Sequence, residues 1–427
     1  MKTVAVALSS IALVLSGGGG KGAYEIGAWR ALTDLGFEIG GVYGTSVGAI
    51  NGAAVVLGEF EKARDAWLNV TFEDVMRISP GMEKLLRGKS FDISLLELRG
   101  ILNDFFGKGG IDVTPLRDLL KKFIPEDAVR SSKIDYGLMA YSMSRMEPMM
   151  LFIEDIPQGM LADYILASAN FPAFTREEIR GELFIDGGVY SNIPLKMAQL
   201  RGFKKAVVVD IGTRTLRDIL TYISTFSDLD VVYIRPREHF GGLLTFDPEV
   251  SRKYLLEGYL DTMAAYGVLH GKTYYCYHPE DILGKLFMTL SSNQRKIAAD
   301  ILGVNLSVNA SAEYQYTHEI LPKLRLETLS VENESSAICL RILETLAKFF
   351  DFQRLRPYTP SELLEGIAKK YDQGVDGVIN SVVYKIRYEK IASFLYFLWR
   401  HGNREVLKTP SGYDEFLQRF EGLLTAK

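Results

Sequence analysis

The stretch IALVLSGGGGKGAYEIGAWRAL, residues 11–32, joins a short apolar run to a helical pattern through four consecutive glycines. The run Ile11–Leu15 is typical of a buried strand. After the glycines, Ile26, Trp29 and Leu32 recur at the spacing of one helix face. This stretch therefore predicts a strand, a tight glycine turn and a helix in succession.

The same alternation of strand and helix returns along the N-terminal part of the chain. Val42–Tyr43 is a short strand pattern, and the small-residue run Ala49–Leu57 predicts a buried helix behind it. Ala206–Ile211 and Val231–Ile234 are further buried strand patterns. Strands that alternate with helices predict an α/β fold, a mainly parallel sheet covered by helices on both faces in three layers.

Strand patterns fade beyond about residue 285. Leu340, Leu343, Leu346 and Phe350 there share one helical stripe. We therefore predict two domains, an α/β domain over residues 1–284 and a helical domain of unknown role over residues 285–427.

Composition narrows the classes of function and the location. The formal net charge of the 427 residues is −4, which gives no global attraction to nucleic acid. The two cysteines, Cys276 and Cys339, match neither a disulfide framework nor a metal motif. Lys2 and the apolar run behind it could be a secretory signal. A buried first strand is the favoured interpretation, because cleavage would remove the strand before the glycine turn, and we expect a cytoplasmic protein.

Gly44-Thr45-Ser46-Val47-Gly48 has the G-x-S-x-G form of a nucleophile elbow and stands between a strand and a helix. The glycines permit a tight turn, and the serine hydroxyl is held at the N-terminus of the next helix. There the helix dipole favours developing negative charge. Alone the pattern is weak, because a strand-to-helix turn without chemistry looks the same.

The glycine turn, from Gly17 through Gly18 and Gly19 to Lys21 and Gly22, admits two functions. Its exposed amides could form an oxyanion hole. It also fits G-x-G-x-x-G, so a nucleotide-binding enzyme is the alternative. A dinucleotide site requires an acidic residue at the end of the second strand to bind the ribose. This chain has the Ser46 elbow at that place instead.

A third pattern, Phe184-Ile185-Asp186-Gly187-Gly188, brings an aspartate from a strand end into a glycine turn. An ordinary Asp-Gly turn would look the same.

Together and in this chain order, the three patterns resemble the patatin-like phospholipases, whose motifs are G-G-G-x-[RK]-G, G-x-S-x-G and D-G-G/A. Two supporting stretches also resemble that family. Residues 167–174 are similar to its A-S-x-A-x-P segment, with a departure at Asn170, where the family usually has alanine. Residues 189–194 are similar to the continuation after the aspartate. The resemblance covers roughly the first 275 residues.

The resemblance implies hydrolysis of phospholipids or other acyl lipids through an acyl-serine intermediate, by a serine–aspartate dyad without histidine. Ser46 would be the nucleophile, Asp186 the base, and the Gly18 and Gly19 amides the oxyanion hole. Lys21 would lie near the head group. No motif requires a metal or cofactor. A Ser-His-Asp triad and a catalytically silent lipid-binding module remain alternatives.

Residues 80–124 mix basic and apolar side chains, among them Lys84, Arg87, Lys89 and Lys122. Such a mixture on one helix face is typical of peripheral membrane contact. The alternative is that the apolar groups are core and the charges are solvated.

Overall fold

The computed structural model describes residues 10–77, 110–172, 174–175, 177–212, 229–374 and 382–425. The chain divides into two compact units. The first comprises Met1–Ala265 with Leu423–Lys427, and the second is Tyr266–Gly422.

The first unit is built on an eight-stranded mixed sheet. Its strands are β1 Ile11–Leu15, β2 Ile39–Thr45, β3 Asp135–Ser142, β4 Glu147–Phe152, β5 Glu177–Ile179, β6 Glu182–Asp186, β7 Lys205–Val209 and β8 Asp230–Ile234. The order is β5-β6-β3-β2-β1-β7-β8, and β4 also pairs with β3. The pairs that join β3, β2, β1, β7 and β8 are parallel, whereas β4, β5 and β6 are joined by antiparallel pairs.

Helices connect and cover these strands. They are α1 Ala23–Asp34, α2 Val47–Leu57, α3 Phe60–Asn69, α4 Phe72–Val75, α5 Thr114–Phe123, α6 Glu126–Ser131, α7 Leu161–Ser168, α8 Leu195–Leu200 and α9 Pro248–Ala265. The central sheet flanked by helices confirms the predicted α/β fold class.

The central strand β1 is buried on both faces. Ala12 and Val14 belong to one core cluster with Met197 and Phe203. Because side chains alternate along a strand, Leu13 points to the opposite face, where it is also fully buried. This confirms the prediction that Ile11–Leu15 is a buried strand.

Helices α1 and α9 cross at close range through two glycines. A Cβ on Gly27 would lie 2.0 Å from the Leu255 carbonyl oxygen, and one on Gly258 would lie 2.0 Å from the Tyr24 carbonyl oxygen. The Tyr24 hydroxyl also donates a hydrogen bond of 2.9 Å to Asp261. The first turn of α1, directly behind the glycine turn, is thereby fixed against α9.

Strand β3 has three partners along its two edges. Strand β4 pairs with residues 137–142 and so occupies one edge there. On the other edge β2 pairs up to Thr45 with Met139, and β6 takes over at Asp186 with Ala140. Two adjacent residues of β3 therefore hold the end of β2 and the end of β6 side by side.

The second unit is mainly helical, with a separate three-stranded sheet of β9 Leu269–His270, β10 Tyr275–Tyr277 and β11 Pro357–Tyr358. Its helices are α10 Ile282–Thr289, α11 Ser292–Leu302, α12 Ala312–Tyr314, α13 Leu321–Glu327, α14 Ser335–Phe349, α15 Pro360–Asp372, α16 Val382–His401 and α17 Tyr413–Glu421. The segment Gln315–Ile320 is a π-helix between α12 and α13.

The division between the units lies before the boundary that we predicted after residue 284, which falls inside α10. Tyr274, Ile282 and Leu283 explain the difference, because they precede the predicted boundary and belong to the apolar core of the second unit. Within the described residues, no helix is both long and apolar enough to cross a bilayer. Residues 78–109, which include Lys84, Arg87 and Lys89 of the predicted membrane surface, lie outside the described residues.

Candidate active site

Ser46 stands at a sharp turn between β2 and α2. Its φ of 57° and ψ of −126° lie in a region that residues with a Cβ rarely adopt. The Ser46 amide donates a 3.0 Å hydrogen bond to the Ser168 hydroxyl, which in turn donates one of 2.6 Å to the Met139 carbonyl oxygen. Strain of this kind persists only where neighbours hold the backbone, as this relay through Ser168 does.

Gly44 and Gly48 make the turn sterically feasible. A Cβ on Gly44 would lie 2.2 Å from the Gly48 carbonyl oxygen, and one on Gly48 would lie 2.5 Å from the Leu15 carbonyl oxygen. Both distances are far shorter than a van der Waals contact, so the elbow needs glycine at both positions.

Asp186 is the last residue of β6, and its carboxylate accepts a hydrogen bond of 2.7 Å from the Gly188 amide. Both Ser46 and Asp186 are 8% exposed. Burial raises the pKa of Asp186 to about 6, although interactions with the Ser46 hydroxyl and the Gly188 amide oppose the shift. The structure thus brings together the two residues that we predicted as nucleophile and base.

Most backbone amides of the glycine turn already donate a hydrogen bond to another residue. The Gly20 amide donates to the Leu243 carbonyl oxygen at 2.7 Å, and the Lys21 and Gly22 amides donate back to Gly18 and Gly19. Within the described residues, no acceptor receives the Gly18 or Gly19 amide. Gly19 lines the same cavity as Ser46 and Asp186.

The arrangement of this turn fits one oxyanion better than a dinucleotide phosphate. The segment 243–245 covers one side of it, because a Cβ on Gly19 would lie 2.0 Å from the Leu243 carbonyl oxygen and one on Gly20 would lie 2.1 Å from that of Thr245. Strand β2 also ends in Thr45 without the acidic residue that a ribose site requires.

Asn192 holds the first glycine of the turn, a role that the sequence analysis missed. Its side-chain amide donates to the Gly17 carbonyl oxygen at 2.9 Å and accepts from the Gly17 amide at 3.0 Å. Ser168, which holds Ser46, was missed as well. The available signal was their place in the two supporting stretches, which are similar to a family pattern.

Asn170, the departure from that pattern, lies behind Asp186. Its carbonyl oxygen accepts a 2.8 Å hydrogen bond from the Asp186 amide, and its side chain donates to the Phe184 carbonyl oxygen at 3.2 Å. Asn170 therefore links the end of β6 to the segment that follows α7.

Ser46 and Asp186 line a cavity of about 590 Å³. Its walls are mainly apolar, with Ile50, Trp67, Leu119, Phe171, Phe174 and Phe246 among them. Four charged side chains other than Asp186 also line it: Lys62, Asp65, Asp74 and Lys122. No histidine of the described residues lines this cavity.

Lys21 is absent from the described lining of the cavity. Its ammonium group donates to the Ile211 carbonyl oxygen at 3.4 Å. Burial lowers the pKa of Lys21, and the nearby Asp210 carboxylate opposes the shift. The role of Lys21 at a head group stays a prediction. Within the described ranges, no cluster of three or more His, Cys, Asp or Glu side chains could hold a metal ion.

The N-terminal part of the chain is similar in sequence to known proteins. Residues 13–198 match the family model described as patatin-like phospholipase. Patatin-like phospholipase domain-containing protein 7 of Mus musculus is 23% identical over 222 residues, which are 50% of this chain and 14% of that protein. Lysophospholipase NTE1 of Mycosarcoma maydis is 26% identical over 208 residues, 48% of this chain and 10% of that protein. This chain therefore matches only a small part of these relatives. The crystal structure of VipD from Legionella pneumophila aligns over 94% of both chains with a TM-score of 0.35 and 14% identity.

The raised pKa of Asp186 predicts a pH-dependent effect of Asp186→Asn on stability. Because its pKa is about 6 when folded and 3.8 ordinarily, the folded state binds this proton more tightly than the unfolded state. The carboxyl therefore contributes stability below about pH 4 that is lost as the pH rises through 6. Relative to wild type, Asp186→Asn should gain roughly 2.4 kcal/mol of stability between pH 4 and pH 7.5.

Urea unfolding at both pH values measures this gain. Asp118→Asn, which changes an exposed carboxyl, is the control and should show no comparable gain. An Asp186→Asn effect that is the same at both pH values would contradict the prediction.

Proposed function

Because residues 13–198 match the family model described as patatin-like phospholipase, we propose that this chain hydrolyses acyl esters of phospholipids or other acyl lipids. The observation that carries the proposal is that Ser46 and Asp186 lie together on the wall of one mainly apolar cavity, where the Ser46 hydroxyl opposes the rise in the pKa of Asp186. An apolar cavity suits an acyl chain, and the paired hydroxyl and carboxylate suit attack on its ester carbonyl.

The reaction has two halves with the same base. Asp186 takes the proton of the Ser46 hydroxyl as Oγ attacks the ester carbonyl carbon, and returns it to the leaving alcohol oxygen when the ester bond breaks. The product is an acyl-serine. Water then attacks this second ester as Asp186 takes its proton, and the proton returns to Ser46 when the fatty acid leaves. A pKa of about 6 keeps Asp186 ionised near neutral pH and still basic enough to accept the proton.

Removing either member of the dyad tests this mechanism. Ser46→Ala and Asp186→Asn should each reduce hydrolysis of a nitrophenyl ester to background, because the two residues act as one unit. A fluorophosphonate probe should label wild type at Ser46 and leave Ser46→Ala unlabelled.

The five histidines are the matched controls for the dyad. Replacing each in turn by alanine should leave turnover within about twofold, whereas a triad would need one of them. Turnover by folded Ser46→Ala would exclude this nucleophile. Loss of turnover in one folded histidine variant would show that the site uses a Ser-His-Asp triad and not a dyad.

The Gly18 and Gly19 amides are the proposed donors to the oxyanion, since no described acceptor uses them. Gly18 is the better position to test, because a Cβ there meets the flexible Ile211 side chain at 2.6 Å, whereas one on Gly19 meets backbone. Gly18→Ala should displace the turn and lower kcat by about 100-fold with little change in KM.

The second substitution Ile211→Ala makes room for that methyl group and should restore part of kcat. Ile211→Ala alone and a melting curve of each variant are the controls. An effect of Gly18→Ala on KM alone would instead favour a substrate or nucleotide cradle.

We also propose that the rim of the cavity meets a lipid surface. Phe123 and Leu243 line the cavity yet remain 41% and 39% exposed. The Lys122 ammonium lies 5.3 Å from the centre of the Phe123 ring. An exposed aromatic ring beside a lysine is a combination that inserts at a membrane interface.

Flotation with vesicles of phosphatidylcholine and phosphatidylserine tests this rim. Wild type should float at low salt, and the double variant Phe123→Ser with Leu243→Ser should float at least about fivefold less, because apolar area drives insertion. Leu200→Ser, at a leucine that is more exposed than either and lies outside the described cavity lining, is the control. Equal flotation of all three proteins would exclude this rim as the surface that contacts the membrane.

A further inference from the structure

Asn51, in the interior of α2, uses its side chain to join three separate parts of the site. Its Nδ2 donates to the Gly22 carbonyl oxygen at 2.9 Å and to Glu25 Oε2 at 2.8 Å. Its Oδ1 accepts a 2.9 Å hydrogen bond from the Trp67 indole. Asn51 is 2% exposed and takes no part in the mechanism derived above.

The chemistry of these partners fixes the orientation of the Asn51 amide. An indole nitrogen only donates and a backbone carbonyl only accepts, so Oδ1 must face Trp67 and Nδ2 must face Gly22. A flipped amide would lose both bonds. Asn51 therefore transmits a displacement of Trp67 to Gly22 directly.

Trp67 and Gly22 stand at the two ends of this link. Trp67 is a wall of the cavity. Gly22 closes the glycine turn, because its amide donates to the Gly19 carbonyl oxygen at 3.2 Å. The indole also packs directly on the turn, since a Cβ on Gly22 would lie 2.3 Å from Trp67 Cζ2. Contact and hydrogen bonds thus run in parallel from the cavity wall to the proposed oxyanion donors.

Glu25 holds the third side of Asn51, since its Oε2 accepts the 2.8 Å hydrogen bond from Nδ2. Burial raises the pKa of Glu25 well above its usual range, the bond from Asn51 opposes the shift, and Asp210 adds to it.

We propose that Asn51 and Trp67 are positioning residues through which an acyl chain in the cavity raises kcat. This rests on the proposed hydrolase function. A chain long enough to contact Trp67 holds the indole, the indole holds the Asn51 amide, and Asn51 holds the turn that carries the Gly18 and Gly19 amides. Binding energy from the acyl chain thereby helps to stabilise the transition state at the ester carbonyl.

The test compares kcat for nitrophenyl laurate and nitrophenyl butyrate in wild type, Asn51→Leu, Trp67→Phe and the double variant. Wild type should have a higher kcat for nitrophenyl laurate than for nitrophenyl butyrate. Each single variant should reduce the laurate-to-butyrate ratio of kcat about tenfold, the worth of one buried hydrogen bond near 1.4 kcal/mol. The double variant should reduce the ratio by clearly less than the product of the two single effects, because both changes break the same hydrogen bond between Trp67 and Asn51.

A purely structural loss would lower kcat for both esters alike and leave the ratio unchanged. Trp67→Phe covers the case in which Asn51→Leu fails to fold, since it removes only the indole donor and part of the ring. Trp29→Phe, which changes a buried indole outside the described cavity lining, is the control and should keep the wild-type ratio.

An unchanged ratio in folded Trp67→Phe, or additive effects in the double variant, would overturn the proposal. Either result leaves the hydrolase function intact as long as Ser46→Ala is inactive. Turnover by Ser46→Ala would instead defeat the proposed function itself.

Discussion

Hydrogen bonding along one edge of β3 is the constraint on which the site depends. Because β4 occupies the opposite edge, β2 and β6 must share this one, and they meet where Met139 gives way to Ala140. The residue after Thr45 is Ser46, and the partner of Ala140 is Asp186. Backbone pairing therefore places Ser46 and Asp186 side by side at this edge of β3.

Near Ser46 and Asp186, some backbone amides of the glycine turn have hydrogen-bond acceptors, whereas the Gly18 and Gly19 amides have none among the described residues. Asn192 takes up the Gly17 amide and the 243–245 segment takes up that of Gly20. Burial leaves Asp186 with a carboxylate that is costly to ionise. The two hydrogen bonds stabilise the glycine turn, whereas the buried Asp186 carboxyl lowers stability once it ionises.

The sequence predicts the parts of this site that are local. Ile11–Leu15, the Ser46 elbow and the strand end at Asp186 each carry their signal within a few residues, and the structure has β1, the turn and β6 there. The antiparallel strand β4 and the roles of Ser168 and Asn192 escaped prediction. Their partners lie far away in the chain, as Gly17 does from Asn192, so their function exists only after β-pairing has brought the segments together.

The close crossing of α1 and α9 affects when the N-terminal part of the chain can finish folding. A fragment that stopped at residue 198 would contain every motif of the glycine turn, the elbow and the aspartate turn. It would lack β7, which pairs with β1, so that strand would become an open sheet edge. It would also lack α9, on which Gly27 packs through Leu255. During synthesis, the three motifs thus leave the ribosome before β7 and α9, the elements on which β1 and α1 pack.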